Sequence, residues 1–231
     1  MKKMERELAV LRQQVIDMGN LTEQMVLHAI DAITDFKHEG ITERVMKEEE
    51  RLDQMQLDID KEAIRLLTLY SPVAGDLRLI MSVSRITAEL ERIGDHSVNM
   101  CESLQLTHAE KEIVWLPEVE KMASVVKVMV SDALNSFVQS DIRKARATIA
   151  SDNMVDALND QIVGELLSIE VVREMLKGPT DLASALAQLL IARSLERIAD
   201  QATNISEEVV YMVEGDDIRH QTLLGESAVT E

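Results

Sequence analysis

The sequence predicts an all-α protein made of two tandem, pseudo-symmetric, antiparallel three-helix bundles. Three observations support this fold class: a composition almost free of aromatic residues, long segments with a helical spacing of apolar residues, and an acidic motif that occurs twice. The chain has 231 residues. That length suffices for one substantial core or for two smaller cores of roughly 100 residues each.

The composition favours helices packed against helices. Hydrophobic residues make up 46% of the chain, which indicates a globular protein, whereas aromatic residues make up only 2% and methionine occurs 13 times. A core of Leu, Ile, Val, Ala and Met suits helical bundles, because β-sandwiches and barrels usually use more aromatic and β-branched residues.

The strong negative charge excludes some classes of partner. The formal net charge is −18 at pH 7. Proteins that bind nucleic acid show a basic patch, and none is visible in this sequence, so no nucleic-acid partner is expected. The charge also argues against direct adhesion to anionic lipid. It fits a well-solvated surface, a basic protein partner or bound cations.

Cysteine usage and hydropathy predict the compartment. The single cysteine, Cys101, excludes an intrachain disulfide and is consistent with a reducing environment. We expect it to fill a small space in the core. The most apolar stretch, residues 182–195, is interrupted by Gln188 and Arg193 and is too short and too polar to cross a membrane. We therefore predict a cytoplasmic protein that reaches a membrane only through protein partners.

Prolines and glycines divide the chain into long periodic segments. The third segment shows the clearest period, with a 4-3 spacing typical of helical bundles. Its stripe consists of Leu79, Val83, Ile86, Leu90, Ile93, Met100 and Leu104, with Ser97 as the one polar member. Six helices are predicted, near residues 2–38, 42–70, 76–106, 115–139, 141–175 and 180–214. A frayed tail is predicted after Gly215.

A duplicated motif indicates that the chain contains two copies of one unit. Residues 91–95, Glu-Arg-Ile-Gly-Asp, recur at 196–200 as Glu-Arg-Ile-Ala-Asp. Upstream, Glu49 and Asp53 correspond to Asp152 and Asp156. The two motifs start 105 residues apart (196 − 91). A repeat of that length is too long for a solenoid unit and indicates duplication of a three-helix domain. We predict domains at residues 1–108 and 115–215, followed by a C-terminal tail at 216–231.

Each copy carries a ladder of acidic and amide side chains on one face of its third helix. The ladders are Glu91, Asp95, Asn99 and Glu102 in the first copy, and Glu196, Asp200, Asn204 and Glu207 in the second. At about 100° per residue, each ladder lies within a stripe of roughly 80°. Carboxylates four residues apart repel one another. The ladders therefore predict a cation, supplied either by a protein or by a metal.

Antiparallel hairpins bring more acids to each ladder. If the first hairpin turns near residue 73, Asp53 faces about residue 94 and Glu49 faces about residue 98. By the same count in the second copy, Asp156 faces about residue 199 and Asp152 faces about residue 203. Such oxygen-rich sites suit hard cations such as magnesium, calcium, manganese or iron.

The metal hypothesis assigns five ligands to each copy. They are Glu49, Asp53, Glu91, Asp95 and Asn99 in the first site, and Asp152, Asp156, Glu196, Asp200 and Asn204 in the second. The alternative is that Arg92 and Arg197 neutralise the neighbouring acids in ordinary surface ion pairs. His96 is a weaker candidate, because its counterpart in the second copy is Gln201. No Glu-x-x-His pair accompanies the ladders, which argues against a ferritin-like di-iron oxidase.

The doubled motif resembles the paired signatures of the PhoU family, the phosphate-uptake regulators of bacteria. Those signatures match Glu-Arg-Ile-Gly-Asp-His at 91–96 and Glu-Arg-Ile-Ala-Asp at 196–200. Residues 71–78, 204–211 and 214–220 resemble the family's hairpin, last-helix and terminal motifs, so the resemblance covers nearly the whole chain. Two positions depart from the pattern: Gln201, where the family's second copy often has His, and Asp152, which stands in place of Glu.

This resemblance implies two symmetry-related three-helix bundles without enzymatic activity. It implies negative regulation of phosphate uptake and of the phosphate-starvation response. The implied partners are the ATPase subunit of the phosphate ABC transporter and the phosphate sensor histidine kinase, at the inner face of the membrane. The implied cofactors are iron, manganese, magnesium or zinc ions, including multinuclear clusters, bound through the acidic pairs. We also expect a homodimer.

The residues alone leave two other functions open. One is a carboxylate-bridged metal enzyme, which needs an open coordination position, although the sequence shows no dedicated acid, base or nucleophile. The other is a structural helical spacer resembling spectrin repeats, whose acids form only a solvated face. Metal content separates the spacer from the other two hypotheses, and turnover separates the enzyme from the regulatory adaptor.

Overall fold

The computed structural model describes residues 2–34, 40–105, 114–168 and 179–219, and within these ranges it is helical with no strand. The helices are α1 (Lys2–Thr34), α2 (Ile41–Tyr70), α3 (Ala74–Gln105), α4 (Pro117–Gln139), α5 (Ile142–Leu166) and α6 (Pro179–Glu214). The predicted fold class, two pseudo-symmetric antiparallel three-helix bundles, is confirmed. Among the described residues, no helix has the length and apolar character needed to span a membrane.

Helices α1, α2 and α3 pack against one another, as do α4, α5 and α6. The two bundles are joined side by side, because α3 packs along α6 and α1 contacts α4. The α3–α6 pair is antiparallel: Ser82, near the start of α3, lies beside Glu208, near the end of α6. Helices α3 and α6 are equivalent, because each carries one copy of the duplicated motif. Their antiparallel packing relates the two copies by a pseudo-twofold axis, so the two ends of the α3–α6 interface are equivalent positions.

The apolar stripes predicted from the sequence form the core. In α3, the members Val83, Ile86, Leu90, Ile93 and Met100 are all buried, whereas Leu79 and Leu104 at the two ends are half-buried. The polar member, Ser97, is also buried, and its hydroxyl donates a hydrogen bond of 2.9 Å to the carbonyl of Ile93. The hydroxyl is thereby satisfied inside its own helix, so it is compatible with the core. Cys101 is buried as expected.

Helix boundaries follow the predicted punctuation except at the end of α5. The carboxylate of Asp141 caps α5 by accepting hydrogen bonds from the backbone of Arg143 and Lys144, and Pro117 opens α4. The prediction of one helix over 141–175 is wrong at its C-terminal end, because α5 stops at Leu166 and is followed by a turn. The rest of that prediction, residues 169–175, lies outside the described residues, as do residues 35–38 of the first predicted helix and residue 106 of the third.

The prediction that the chain frays after Gly215 is wrong for residues 216–219. Arg219 turns back and donates a hydrogen bond of 2.8 Å to the buried carboxylate of Glu208, and its guanidinium lies over the ring of Tyr211. Ile218 packs against the core. A buried carboxylate requires cationic partners, and Arg219 supplies one of them. Residues 216–219 therefore belong to the folded body, and residues 220–231 lie outside the described residues.

Candidate metal centre

The first acidic cluster lies where α2 packs on α3. Leu52 contacts the backbone of α3 at Gly94, where a side chain as small as a methyl group would overlap it. This register matches the predicted hairpin pairing. It brings Glu49 and Asp53 of α2 close enough to Asp95 of α3 for their charges to interact.

Burial and mutual repulsion disfavour the charged forms of these acids. Burial, followed by repulsion from Asp53, raises the pKa of both Glu49 and Asp95. Burial, followed by repulsion from Asp95, raises the pKa of Glu91. The Oδ1 atom of Asp53 is buried and has no hydrogen-bond partner among the described residues. Arg92 and His96 lower the pKa values of Glu91 and Asp95 only in part, so both remain raised, and a cation would stabilise this group of four carboxyls.

The second cluster repeats this arrangement between α5 and α6. Burial raises the pKa of Asp152 to about 6, with further contributions from repulsion by Asp156, Asp200 and Glu196. The hydroxyl of Thr203 lies close enough to stabilise the anionic form of Asp152, although it forms no hydrogen bond of regular geometry. The contact at Thr203 is the pairing predicted from the sequence, whereas Asp156 is exposed.

The ion-pair alternative describes the second copy better than the first. Arg197 donates a hydrogen bond of 2.9 Å to Asp200 and so partly neutralises the second cluster. In contrast, Arg92 turns away from the first cluster and bonds to Glu89 at 2.8 Å. It lowers the pKa of Glu91 only weakly, and the net effect on that carboxyl remains a rise. Local arginines therefore do not account for the first cluster.

The two predicted asparagine ligands lie towards the α3–α6 interface. The amide of Asn204 donates a hydrogen bond of 3.2 Å to Glu89 on the other copy. Asn99 lines a cavity between α3 and α6 together with His96. The pKa of His96 is lowered, first by burial, although the neighbouring Asp95 opposes this shift. The structure thus joins the eight predicted carboxylates into two groups of four and gives Asn204 a different partner.

The donor chemistry of both groups fits a hard cation. Each offers four carboxyls from two helices, and the first includes the unpartnered oxygen of Asp53. Within the described ranges, no three His, Cys, Asp or Glu side chains already stand in ligating positions. Binding would therefore require carboxylate rotamers to turn inward, which the cation's charge would favour. The residues that would hold it are Glu49, Asp53, Glu91 and Asp95 in one copy, and Asp152, Asp156, Glu196 and Asp200 in the other.

Sequence reasoning missed a charged network at one end of the α3–α6 interface. Its centre is Glu208, whose side chain is only 4% exposed and bonds to Arg85 at 3.1 Å and to Arg219 at 2.8 Å. Ser82 lies 3.3 Å from the same carboxylate. The available signal was the break in the repeat: Glu208 corresponds to Ser103, and Arg85 corresponds to Leu190. The break in the repeat therefore distinguishes these positions from the rest of the duplicated helix.

Comparison with known proteins follows the same division into copies. The family model for the PhoU domain matches the chain twice, at residues 15–104 and 119–209. The chain belongs to the PhoU family. The PhoU homolog of Aquifex aeolicus, described as a phosphate-specific transport system accessory protein, is 35% identical over 219 residues, covering 95% of this chain and 96% of that protein. The corresponding Escherichia coli protein is 33% identical over 214 residues, covering 93% and 86%.

PhoU crystal structures have the same architecture. The crystal structure of PhoU from Pseudomonas aeruginosa superposes with a TM-score of 0.84 at 34% sequence identity, covering 92% of this chain and 99% of that chain. The family resemblance seen in the doubled acidic motif is thereby confirmed. The first PhoU match includes the acidic residues of α2 and α3, and the second includes those of α5 and α6.

Proposed function

We propose that this protein is the regulatory accessory protein of a bacterial phosphate-specific transport system and has no catalytic activity of its own. The observation that carries the proposal is the double PhoU match together with relatives that are at least 30% identical over more than nine-tenths of the chain. Those relatives are described as accessory proteins of phosphate-specific transport.

The finer form of the proposal is a negative regulator that works as an adaptor. It would contact the ATPase subunit of the phosphate transporter and the phosphate sensor histidine kinase at the cytoplasmic side of the inner membrane. Its two bundles offer two related but unequal faces, which suits a protein with two partners. The arrangement disfavours a spacer of the spectrin type, because α3 and α6 lie side by side rather than extending the chain end to end.

A deletion strain tests the regulatory role. Removing the gene should leave phosphate-starvation genes switched on in phosphate-rich medium, because the signal that the transporter is saturated would no longer reach the kinase. A transcriptional reporter for those genes measures the effect, and re-expression of the wild-type chain is the control. A reporter that still switches off normally in the deletion strain would contradict the proposal. Affinity capture from cells grown at high phosphate should also recover the transporter ATPase and the kinase.

Metal binding by the two acidic clusters is the second part of the proposal. The supporting observations are the raised pKa values of Glu49, Glu91, Asp95 and Asp152, and the orphaned oxygen of Asp53. Clustered carboxyls that lack cationic partners destabilise a fold when ionised, and a bound cation removes that penalty. Iron, manganese and magnesium suit the all-oxygen donor set, whereas zinc prefers nitrogen and sulfur ligands.

Thermal unfolding tests the metal assignment. A hundredfold excess of metal over its Kd should stabilise the wild-type protein, previously freed of metal with a chelator, by about 2.7 kcal/mol for each occupied site, which raises Tm by roughly 5–10 °C per site at this size. The double variant Asp95→Asn with Asp200→Asn removes one central anion from each cluster at constant size, and its Tm should rise much less. The matched control changes the exposed Asp58 and Asp160 to Asn. Equal responses of all three proteins to manganese, iron(II) and magnesium would remove these residues from the assignment.

A further inference from the structure

A cavity of about 460 Å³ lies between α3 and α6, in the interface that joins the two copies. Four side chains with potential hydrogen-bond donors line it: His96 and Asn99 from α3, and Arg193 and Arg197 from α6. The hydroxyls of Ser103 and Ser194 also face it, but each donates its one hydrogen to a backbone carbonyl of its own helix. The cavity is separate from the acidic clusters, which lie where α2 meets α3 and where α5 meets α6. Its lining is rich in donors in a protein whose net charge is strongly negative.

The pseudo-twofold relation shows what fills the equivalent space at the other end of the interface. There, the carboxylate of Glu89 accepts hydrogen bonds from Arg92 at 2.8 Å and from Asn204 at 3.2 Å. A second carboxylate, that of the buried Glu208, bonds to Arg85. That end of the interface is thus occupied by two side-chain oxyanions and the donors that hold them.

At the cavity, the two donors that hold Glu89 are duplicated, whereas Arg85, which holds Glu208, is replaced by Leu190, and both carboxylates are gone. Arg197 and Asn99 are the equivalents of Arg92 and Asn204, yet the position equivalent to Glu89 is Ser194. The position equivalent to Glu208 is Ser103. Replacing two glutamates by two serines removes both anions and leaves space, because the serine side chain is shorter by three heavy atoms. The cavity therefore keeps the donors of Glu89 but has neither carboxylate of the filled end.

Arg193 adds a cation that the filled end lacks, since its equivalent there is Ala88. Its side chain is exposed at the cavity and pairs with no carboxylate in the described part of the chain. Arg197 has one partner, Asp200, at 2.9 Å, and keeps further guanidinium donors. Two guanidinium groups with the amide of Asn99 and the imidazole of His96 beside them form an environment that recognises oxyanions through paired hydrogen bonds.

We propose that this cavity binds a phosphate-type oxyanion, either as free phosphate or as the phosphoryl group of a larger molecule. The two carboxylates at the equivalent end present four oxygen atoms, and one tetrahedral phosphate presents the same number. A single carboxylate presents only two oxygen atoms, half the number at the equivalent end. The inference rests on the internal comparison of the two copies and stands apart from the regulatory proposal.

Electrostatics sets the conditions for binding. The net charge of −18 repels anions at long range, and Glu102 places one carboxylate on the cavity wall. Affinity therefore depends on the short-range hydrogen bonds within the cavity. Replacing Glu102 by Gln removes the nearest repulsion and should strengthen binding by about threefold.

Equilibrium dialysis of the full-length protein with radiolabelled inorganic phosphate, in chelator-treated buffer, tests the site directly. Removing metal excludes phosphate held by cations at the acidic clusters, so failure here and failure of the metal proposal give different results. The wild-type protein should bind saturably, with one anion per chain. Arg193→Gln should weaken binding by about tenfold. Arg143→Gln, which changes another exposed arginine on a different helix, should leave it unchanged.

The sharpest variant is Ser194→Glu, which restores the carboxylate found at the equivalent position, Glu89. The new side chain should meet Asn99 and Arg197, fill the site and abolish phosphate binding while keeping the fold, as circular dichroism and Tm would report. A second dialysis with glycerol phosphate distinguishes the two ligand types. Binding as strong as that of inorganic phosphate indicates that the site accepts a phosphoryl group on a larger molecule, whereas much weaker binding indicates free phosphate. The absence of saturable phosphate binding to the wild type, or equal binding to a folded Ser194→Glu protein, overturns the proposal.

Discussion

The carboxyl of Asp152 shows how one residue couples stability to pH. Burial and the neighbouring acids raise its pKa from 3.8 to about 6. Between these two values the unfolded chain releases the proton while the folded protein retains it. The folded state therefore binds more protons, and the free energy of unfolding falls as pH rises through this window. Above about pH 6 the full penalty of a buried, repelled carboxylate is present.

We predict that Asp152→Asn stabilises the metal-free protein at pH 7 but has much less effect near pH 4. The gain at pH 7 should be on the order of 1 kcal/mol, because solvent screens part of the repulsion. Urea unfolding at both pH values, with chelator present, measures the difference. Asp160→Asn, at an exposed position on the same helix, is the control. A gain from Asp152→Asn that is the same at pH 4 and pH 7 would rule out titration of this carboxyl as the cause.

At the scale of the helix pair, different side chains occupy equivalent positions where α2 packs on α3 and where α5 packs on α6. In the first copy Leu52 of α2 meets Gly94 of α3. In the second copy the corresponding residues are Val155 and Ala199, both fully buried. One carbon has moved from one side of the contact to the other, so the volume between the helices is conserved. Volume-conserving exchanges of this kind are the ones that cores tolerate best.

This exchange predicts strong coupling between Leu52 and Gly94. Gly94→Ala alone should destabilise the protein, because the new Cβ overlaps the Leu52 side chain and outweighs the gain in helix propensity of about 1 kcal/mol. Leu52→Val alone should also destabilise it, by roughly 1 kcal/mol. The double variant reproduces the contact of the second copy and should be at least as stable as the wild type.

A double-mutant cycle measured by urea unfolding tests this coupling, for which we expect an interaction energy of about 2 kcal/mol. Gly164→Ala is the matched control: Gly164 lies in α5 with nothing near the position of an added Cβ. There the same change should stabilise the protein by about 0.5–1 kcal/mol. If the changes in unfolding free energy of Leu52→Val and Gly94→Ala simply add in the double variant, these two residues do not interact.

These examples show which features a sequence can reveal and which it cannot. Helix identity, the register of α2 on α3 and the pairing of Asp152 with residue 203 follow from local periodicity and hairpin geometry, so they were predictable. The partner of Arg92 was not, because the choice between Glu89 and Glu91 depends on a helix that arrives from the other copy. The fold of residues 216–219 was missed for the same reason: it depends on Glu208, a buried acid that periodicity does not distinguish from a surface one.

At the scale of the whole molecule, the α3–α6 interface holds the two copies together and is unequal at its two ends. One end is occupied by Glu208 and its cationic partners. Arg219 comes from the segment after α6 and Arg85 from α3, so this one carboxylate ties both copies and the end of the described chain together. The other end has a cavity. The duplication therefore produced a pseudo-symmetric backbone. A few substitutions placed an ion-pair network at one end of the α3–α6 interface and a cavity at the other.

We predict that Glu208→Gln weakens the joint between the copies. The variant keeps the side-chain size but removes the anion from Arg85 and Arg219 and turns an amide group towards their donors. Loss of these charge-assisted hydrogen bonds should cost about 2 kcal/mol, which lowers Tm by roughly 4–8 °C. Calorimetry measures the change, and Glu165→Gln, at an exposed position on α5, is the control. Because Glu208 is buried, 0.5 M salt should reduce the difference only slightly; an unchanged Tm would show that the network does not hold the copies together.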